Sequence, residues 1–239
     1  MRKVSETGHN KNVANFKALM AIATEMGALY QPMNTAIEVG NLQRIAQQLD
    51  SCIGAMDATL PAFRNAQADR AAAFSELNRR SASAVNAFCT LRVAEGDKEH
   101  VRSILHKIRP TGGRKKVDPE KDDSETISTS QQSYDNRAAN FGLLVAQLRS
   151  RPAYAPNEDE LRPAALEVYH GQLLAANQEM ARNAYSLLTA RTQRNEALYT
   201  GADSVLVLQR EIKGYIKSLG SKGAAYYKAA TRLSFSRKY

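Results

Sequence analysis

Apolar residues return along this chain at intervals of three and four, the pattern of helices that bury one face. Val13, Phe16, Leu19, Met20, Ala23, Met26 and Tyr30 form one such face, and Ala138, Phe141, Leu144, Val145 and Leu148 form another. Each predicts a helix of roughly 20 residues, the second cut short by Pro152. Two longer seams follow. The first runs Leu42, Ile45, Leu49, Cys52, Met56, Phe63, Ala66, Arg70, Ala73 and Leu77. The second runs Leu166, Tyr169, Leu173, Ala176, Met180, Leu187, Ala190, Arg194 and Ala197, and carries on through Val205, Leu208, Ile212 and Tyr215. Read as one helix, residues 159 to 218 would span near 90 Å. Pro61 predicts a kink or break in the first seam, since a proline inside a helix removes a donor and crowds the preceding turn.

The two halves read as copies. Val13-Ala14-Asn15-Phe16 matches Ala138-Ala139-Asn140-Phe141, and one gap brings Tyr30-Gln31-Pro32 onto Tyr154-Ala155-Pro156. Leu42, Leu49, Met56, Ala66 and Arg70 then fall on Leu166, Leu173, Met180, Ala190 and Arg194, and Gly96 on Gly220. Matches kept in order at the same helical spacing predict a tandem duplication of one unit. The expected organisation is residues 1–109 as copy one, 110–133 as a polar linker and 134–239 as copy two, packed as one pseudo-symmetric domain. Both long helices should begin just after a Pro-containing loop, near Asn34 or Thr35 and near Asn157, where side-chain oxygens cap free N–H groups.

The expected fold is all-α: an elongated helical bundle, or coiled-coil-like hairpins, from two copies of one unit. A short β-pair between the two copy tails is a weaker expectation, suggested by the alternation around Leu233 and Phe235. A helical or irregular tail is the stronger one.

Composition adds exclusions. Aromatics are 7% and Trp is absent, too little bulk for many strands. The opening residues, MRKVSETGHNKN, hold no apolar stretch of signal-peptide kind, and no run approaches a membrane span. A cytoplasmic location is therefore expected, with non-classical export left open. Cys52 and Cys89 read as small buried hydrophobes in a reducing compartment. The net charge of +9 is uneven, with 17 Lys+Arg and 10 Asp+Glu through Lys116 and 16 and 14 after it. That excess suits a polyanionic partner, but it is not the dense basic stripe of a dedicated nucleic-acid binder.

Candidate chemistry is sparse. His9, His100, His106 and His170 have no second ligand at helical spacing and read as surface or boundary residues. Thr111-Gly-Gly-Arg-Lys-Lys lacks the spacing of a phosphate loop. No nucleophile–base pair, metal or cofactor motif is present, and no enzyme is expected. Arg70 and Arg194 stand out, because each sits in phase with an apolar seam and a buried guanidinium needs a partner. They join Arg114, Lys115, Lys116, Arg237 and Lys238 as candidate interaction or anion-contacting residues.

The segment Ser5-Glu-Thr-Gly-His-Asn-Lys-Asn-Val-Ala-Asn-Phe16, with Gly214-Tyr-Ile-Lys-Ser-Leu-Gly220 and Leu233-Ser-Phe, resembles uncharacterised helical proteins of Bacteroidota-type bacteria. The resemblance spans the chain and implies no activity or cofactor. The leading expectation for function is a non-enzymatic structural or interaction protein that self-associates or binds a protein partner. The alternative is sequence-independent binding of nucleic acid or another polyanion. A membrane-active helical protein is weaker still, since there is no apolar hairpin.

Overall fold

The computed structural model describes residues 7–109 and 133–236. These form eight α-helices: α1 (Thr7–Glu25), α2 (Val39–Ser75), α3 (Leu77–Cys89), α4 (Glu95–Ile108), α5 (Tyr134–Arg149), α6 (Pro163–Asn195), α7 (Val205–Ser218) and α8 (Ala224–Thr231). The fold is all-α. There is no strand among the described residues: the first tail is helical and the second, around Leu233 and Phe235, is irregular, so the expected β-pair does not form. α4 takes the first tail because Val101, Ile104 and Ile108 keep a three–four spacing and lie buried. Glu95 and Asp97 in its first turn, with His106 and Lys107 in its last, complement the helix dipole. Residues 232–236 are irregular beyond the last turn of α8.

The chain divides into two compact units, and the boundaries fall inside α2 and α6. Unit 1 holds Met1–Ala62 and Ala184–Tyr239; unit 2 holds Phe63–Asn183. In unit 1, α1 and the start of α2 share a core with α7 and α8, built on Phe16, Leu19, Leu42, Leu49, Leu208, Ile212 and Ile216. In unit 2, the end of α2, α3 and α4 share a core with α5 and the start of α6, built on Phe74, Leu77, Phe88, Ile108, Phe141, Leu148, Leu166 and Leu173.

Each unit has a clasp ahead of its long helix. In unit 1 the Tyr30 hydroxyl donates to the Ile37 carbonyl at 2.9 Å. In unit 2 the Tyr154 hydroxyl donates to the Leu161 carbonyl at 3.0 Å. Both carbonyls end 3-10 turns, Thr35–Ile37 and Asp159–Leu161. The Asn34 side chain accepts from the Ala36 amide at 3.0 Å and so caps the first turn. Pro163 opens α6 at the first helical position, where its missing N–H costs nothing.

Two features of the long helices differ from the sequence expectation. α2 runs through Pro61 without a break and stops at Ser75. The uninterrupted helix from 159 to 218 does not form: α6 ends at Asn195, a π turn spans Glu196–Thr200, and α7 starts at Val205. Gly201 closes the π turn through its N–H to the Glu196 carbonyl at 2.8 Å, and a Cβ there would sit 2.9 Å from that same oxygen. The glycine is what lets the backbone leave the helix so tightly. Gly96 and Gly220 also take different local positions. Gly96 lies in the first turn of α4, whereas Gly220 has φ of 61° and terminates α7.

Candidate functional site

Among the described residues, Arg70, Arg79, Arg80 and Arg137 gather in unit 2, where α2, α3, α5 and α6 meet. Phe74 points from α2 into the core, and the Tyr134 ring at the start of α5 meets it edge-on at 4.8 Å. Arg70, one turn before Phe74, lays its guanidinium over Tyr134 at 4.2 Å from the ring centroid. Arg137, one turn after Tyr134, sits over Phe74 at 5.7 Å. Its Nε donates to the Ile108 carbonyl at the end of α4 (3.0 Å), and its second nitrogen to Asn78 Oδ1 (3.1 Å). Nearby, Tyr169 of α6 donates to the Ala73 carbonyl at 2.7 Å and carries Arg80 over its ring at 4.5 Å. Stacked guanidinium–ring pairs of this kind contribute about 0.5–2 kcal/mol each, more when water is excluded.

The acids here are unevenly shared. Arg79 takes both Glu76 (2.6 Å) and Glu160 (3.0 Å). Those bonds raise the Arg79 pKa, and Arg79, helped by the charge of Arg80, holds the Glu160 carboxyl below its ordinary range. Arg70 and Arg137 have no carboxylate in ion-pair contact among the described residues. Desolvation lowers the Arg137 pKa, the expected direction for a cation set among rings without an acid. Burial raises the Tyr169 hydroxyl.

Arg70 is half-buried, its stem packed and its head stacked. Arg194 is buried at 6% exposure and reaches the Asn195 side chain at 3.0 Å, rather than holding its head in water. The two arginines lie in different units and are described separately. Arg114, Lys115, Lys116, Arg237 and Lys238 lie outside the described residues.

The histidine expectation needs one correction. His9 is buried at 3% exposure, its Nδ1 2.7 Å from the Tyr199 hydroxyl. Its partner is 190 residues away, so no local pattern marks it. Asn12, one turn on, is also buried and holds residue 236 from both sides: its amide nitrogen donates to the Ser236 carbonyl at 3.0 Å, and the Ser236 N–H donates to its oxygen at 3.1 Å. Cys52 and Cys89 are free thiols, Cys52 buried and Cys89 half-buried; burial pushes the Cys52 pKa up.

The surface carries a second feature. Six large hydrophobic residues are exposed among the described residues, and four of them (Val168, Leu174, Tyr185 and Leu188) lie on α6. Clefts open in both units. One of about 510 Å³ in unit 1 is lined by Arg44, Gln48, Cys52, Glu196, Asp203 and Ser204 among others. One of about 430 Å³ in unit 2 lies between α5 and α6, beside the Arg149–Glu167 ion pair. No group of three or more His, Cys, Asp or Glu able to hold a metal occurs among the described residues, and no described helix is long and apolar enough to cross a membrane. Compared with known proteins, the chain matches no family model, no curated protein and no solved structure.

Proposed function

We propose that this is a non-enzymatic interaction protein, a helical scaffold that associates with further copies of itself through the outer face of α6. The observation that carries the reading is the double-sided character of that helix. Its inner face, Leu166, Tyr169, Leu173, Leu187 and Ala190, is buried. Each unit's stretch of that helix also leaves large apolar side chains exposed, Val168 and Leu174 in unit 2 and Tyr185 and Leu188 in unit 1. Large exposed apolar side chains on a helix that already buries one face mark candidate contact surfaces. The test is light scattering on the purified chain over a concentration series, beside a Leu174→Glu/Leu188→Glu variant. Association in the parent that the variant loses supports the reading; a monomer at the highest attainable concentration sinks it.

The same proposal takes the chain as a doubled unit, and three features support that. The Tyr30 and Tyr154 clasps each span seven residues and end in a 3-10 turn. Each clasp tyrosine packs on an aromatic ring of another helix, Tyr30 on Tyr215 of α7 at 5.1 Å and Tyr154 on Phe88 of α3 at 6.1 Å. Phe16 and Phe141 are both wholly buried. On this reading each compact unit joins the front half of one copy to the back half of the other, an exchange of equivalent elements within one chain.

A further inference from the structure

We infer that Arg70 and Arg137, arranged about the Tyr134–Phe74 ring pair of unit 2, form a binding site for a phosphoryl oxyanion. The stack holds the Arg70 guanidinium at 4.2 Å from the ring, which fixes its plane and leaves its edge as a pre-organised fork of donors. Its Nε is buried and has no hydrogen-bond partner. Arg137 is oriented by the Ile108 carbonyl and Asn78, neutral acceptors that leave its charge uncompensated. Among the described residues the neighbouring acids are committed elsewhere or exposed: Glu76 and Glu160 are bound by Arg79, and Asp69 and Asp135 face solvent. Two half-buried cations on aromatic faces, with no carboxylate in ion-pair contact among the described residues, are costly unless an anion completes them. A phosphoryl group fits best, since its several oxygens accept from an arginine fork and from a second cation at once. The same chemistry is offered by a free polyphosphate and by a nucleic-acid backbone, and rings beside the cations would also suit stacked bases.

The test is isothermal titration of the full chain with tripolyphosphate, with a single-stranded oligonucleotide and with poly-glutamate, each at two salt concentrations. Binding of tripolyphosphate alone assigns a small-anion site; binding of the oligonucleotide, weakened by salt, assigns a backbone site. Arg70→Gln and Arg137→Gln are each expected to weaken binding by about tenfold or more, whereas Arg149→Gln, an exposed residue paired to Glu167, leaves it unchanged. Tyr134→Leu keeps every charge and removes the stack, so it also weakens binding, while Tyr134→Phe restores it. Circular dichroism on each variant separates lost binding from lost fold. The proposal is overturned if neither phosphate ligand binds at low salt, if Arg70→Gln binds as the parent does, or if poly-glutamate binds equally well.

Discussion

His170 of α6 lies against Gly142 of α5 so closely that a Cβ on the glycine would fall 2.7 Å from Cε1 and 2.8 Å from Nε2 of the imidazole. Glycine inside a helix costs about 1 kcal/mol relative to alanine, so this one is kept for the approach it permits. Gly142→Ala should leave stability within about 1 kcal/mol of the parent, because the half-buried imidazole can swing aside and its lost packing offsets the gain in helix propensity. In a His170→Ala background the same substitution should stabilise by about 1 kcal/mol. Denaturant melts of the four variants check both, and an equal effect of Gly142→Ala in the two backgrounds would refute the account.

The clasp tyrosines predict an alkaline limit. Burial raises the Tyr30 hydroxyl above its ordinary value and pushes Tyr154 up to about 12. A group whose pKa is raised on folding stabilises fully below its unfolded value, near 10 for tyrosine, and loses that contribution as pH climbs through the folded value. Stability should therefore fall steadily from about pH 10 to pH 12. Tyr154→Phe should flatten part of that fall while costing about 1 kcal/mol at neutral pH, where the Leu161 carbonyl loses its donor. Chemical denaturation at stepped pH measures both.

Asn12 should govern the segment after α8. Its side chain both donates to and accepts from Ser236, and Lys213 donates to the Leu233 carbonyl at 2.8 Å. Asn12→Ala removes the first pair of bonds, and the expected result is fast amide exchange at Ser236 with the α1 and α7 amides still protected. Unchanged exchange at Ser236 would show that other contacts hold the segment.

Gly201 should resist substitution. A Cβ at this position meets a backbone oxygen, which cannot swing aside as a side chain can. Gly201→Ala is expected to cost about 1–3 kcal/mol. Gly54, in α2 with open space about it, should gain from alanine through helix propensity. Paired thermal melts compare the two.

Much of the helical class was legible because burial follows local spacing. Leu42, Leu49, Leu166 and Leu173 were placed on seams by their neighbours alone, and all four are buried. What failed was decided by partners far along the chain or by a single backbone turn. The apolar spacing through Ala197, Val205 and Leu208 continues across Gly201 as if no break existed, since the side chains on either side still reach a core. Pro61 is tolerated inside α2, where the rule for isolated helices predicts a kink or break. Arg70 was marked by its phase in an apolar seam, but the ring that receives it is Tyr134, and nothing in the order of residues couples the two. The enclosure of His9 by Tyr199 was invisible for the same reason.

The division inside α2 and α6 gives the chain an unusual response to being cut. Each compact unit draws on residues from both sides of the segment 110–132. A protease acting there would produce two fragments, and neither would own a complete core. Each would hold half of two. The fragments should copurify after cleavage, separate only in denaturant, and regain structure on mixing while staying largely unfolded alone. The chain is in that sense a complementation pair in one sequence, and the integrity of either core reports on both halves of it.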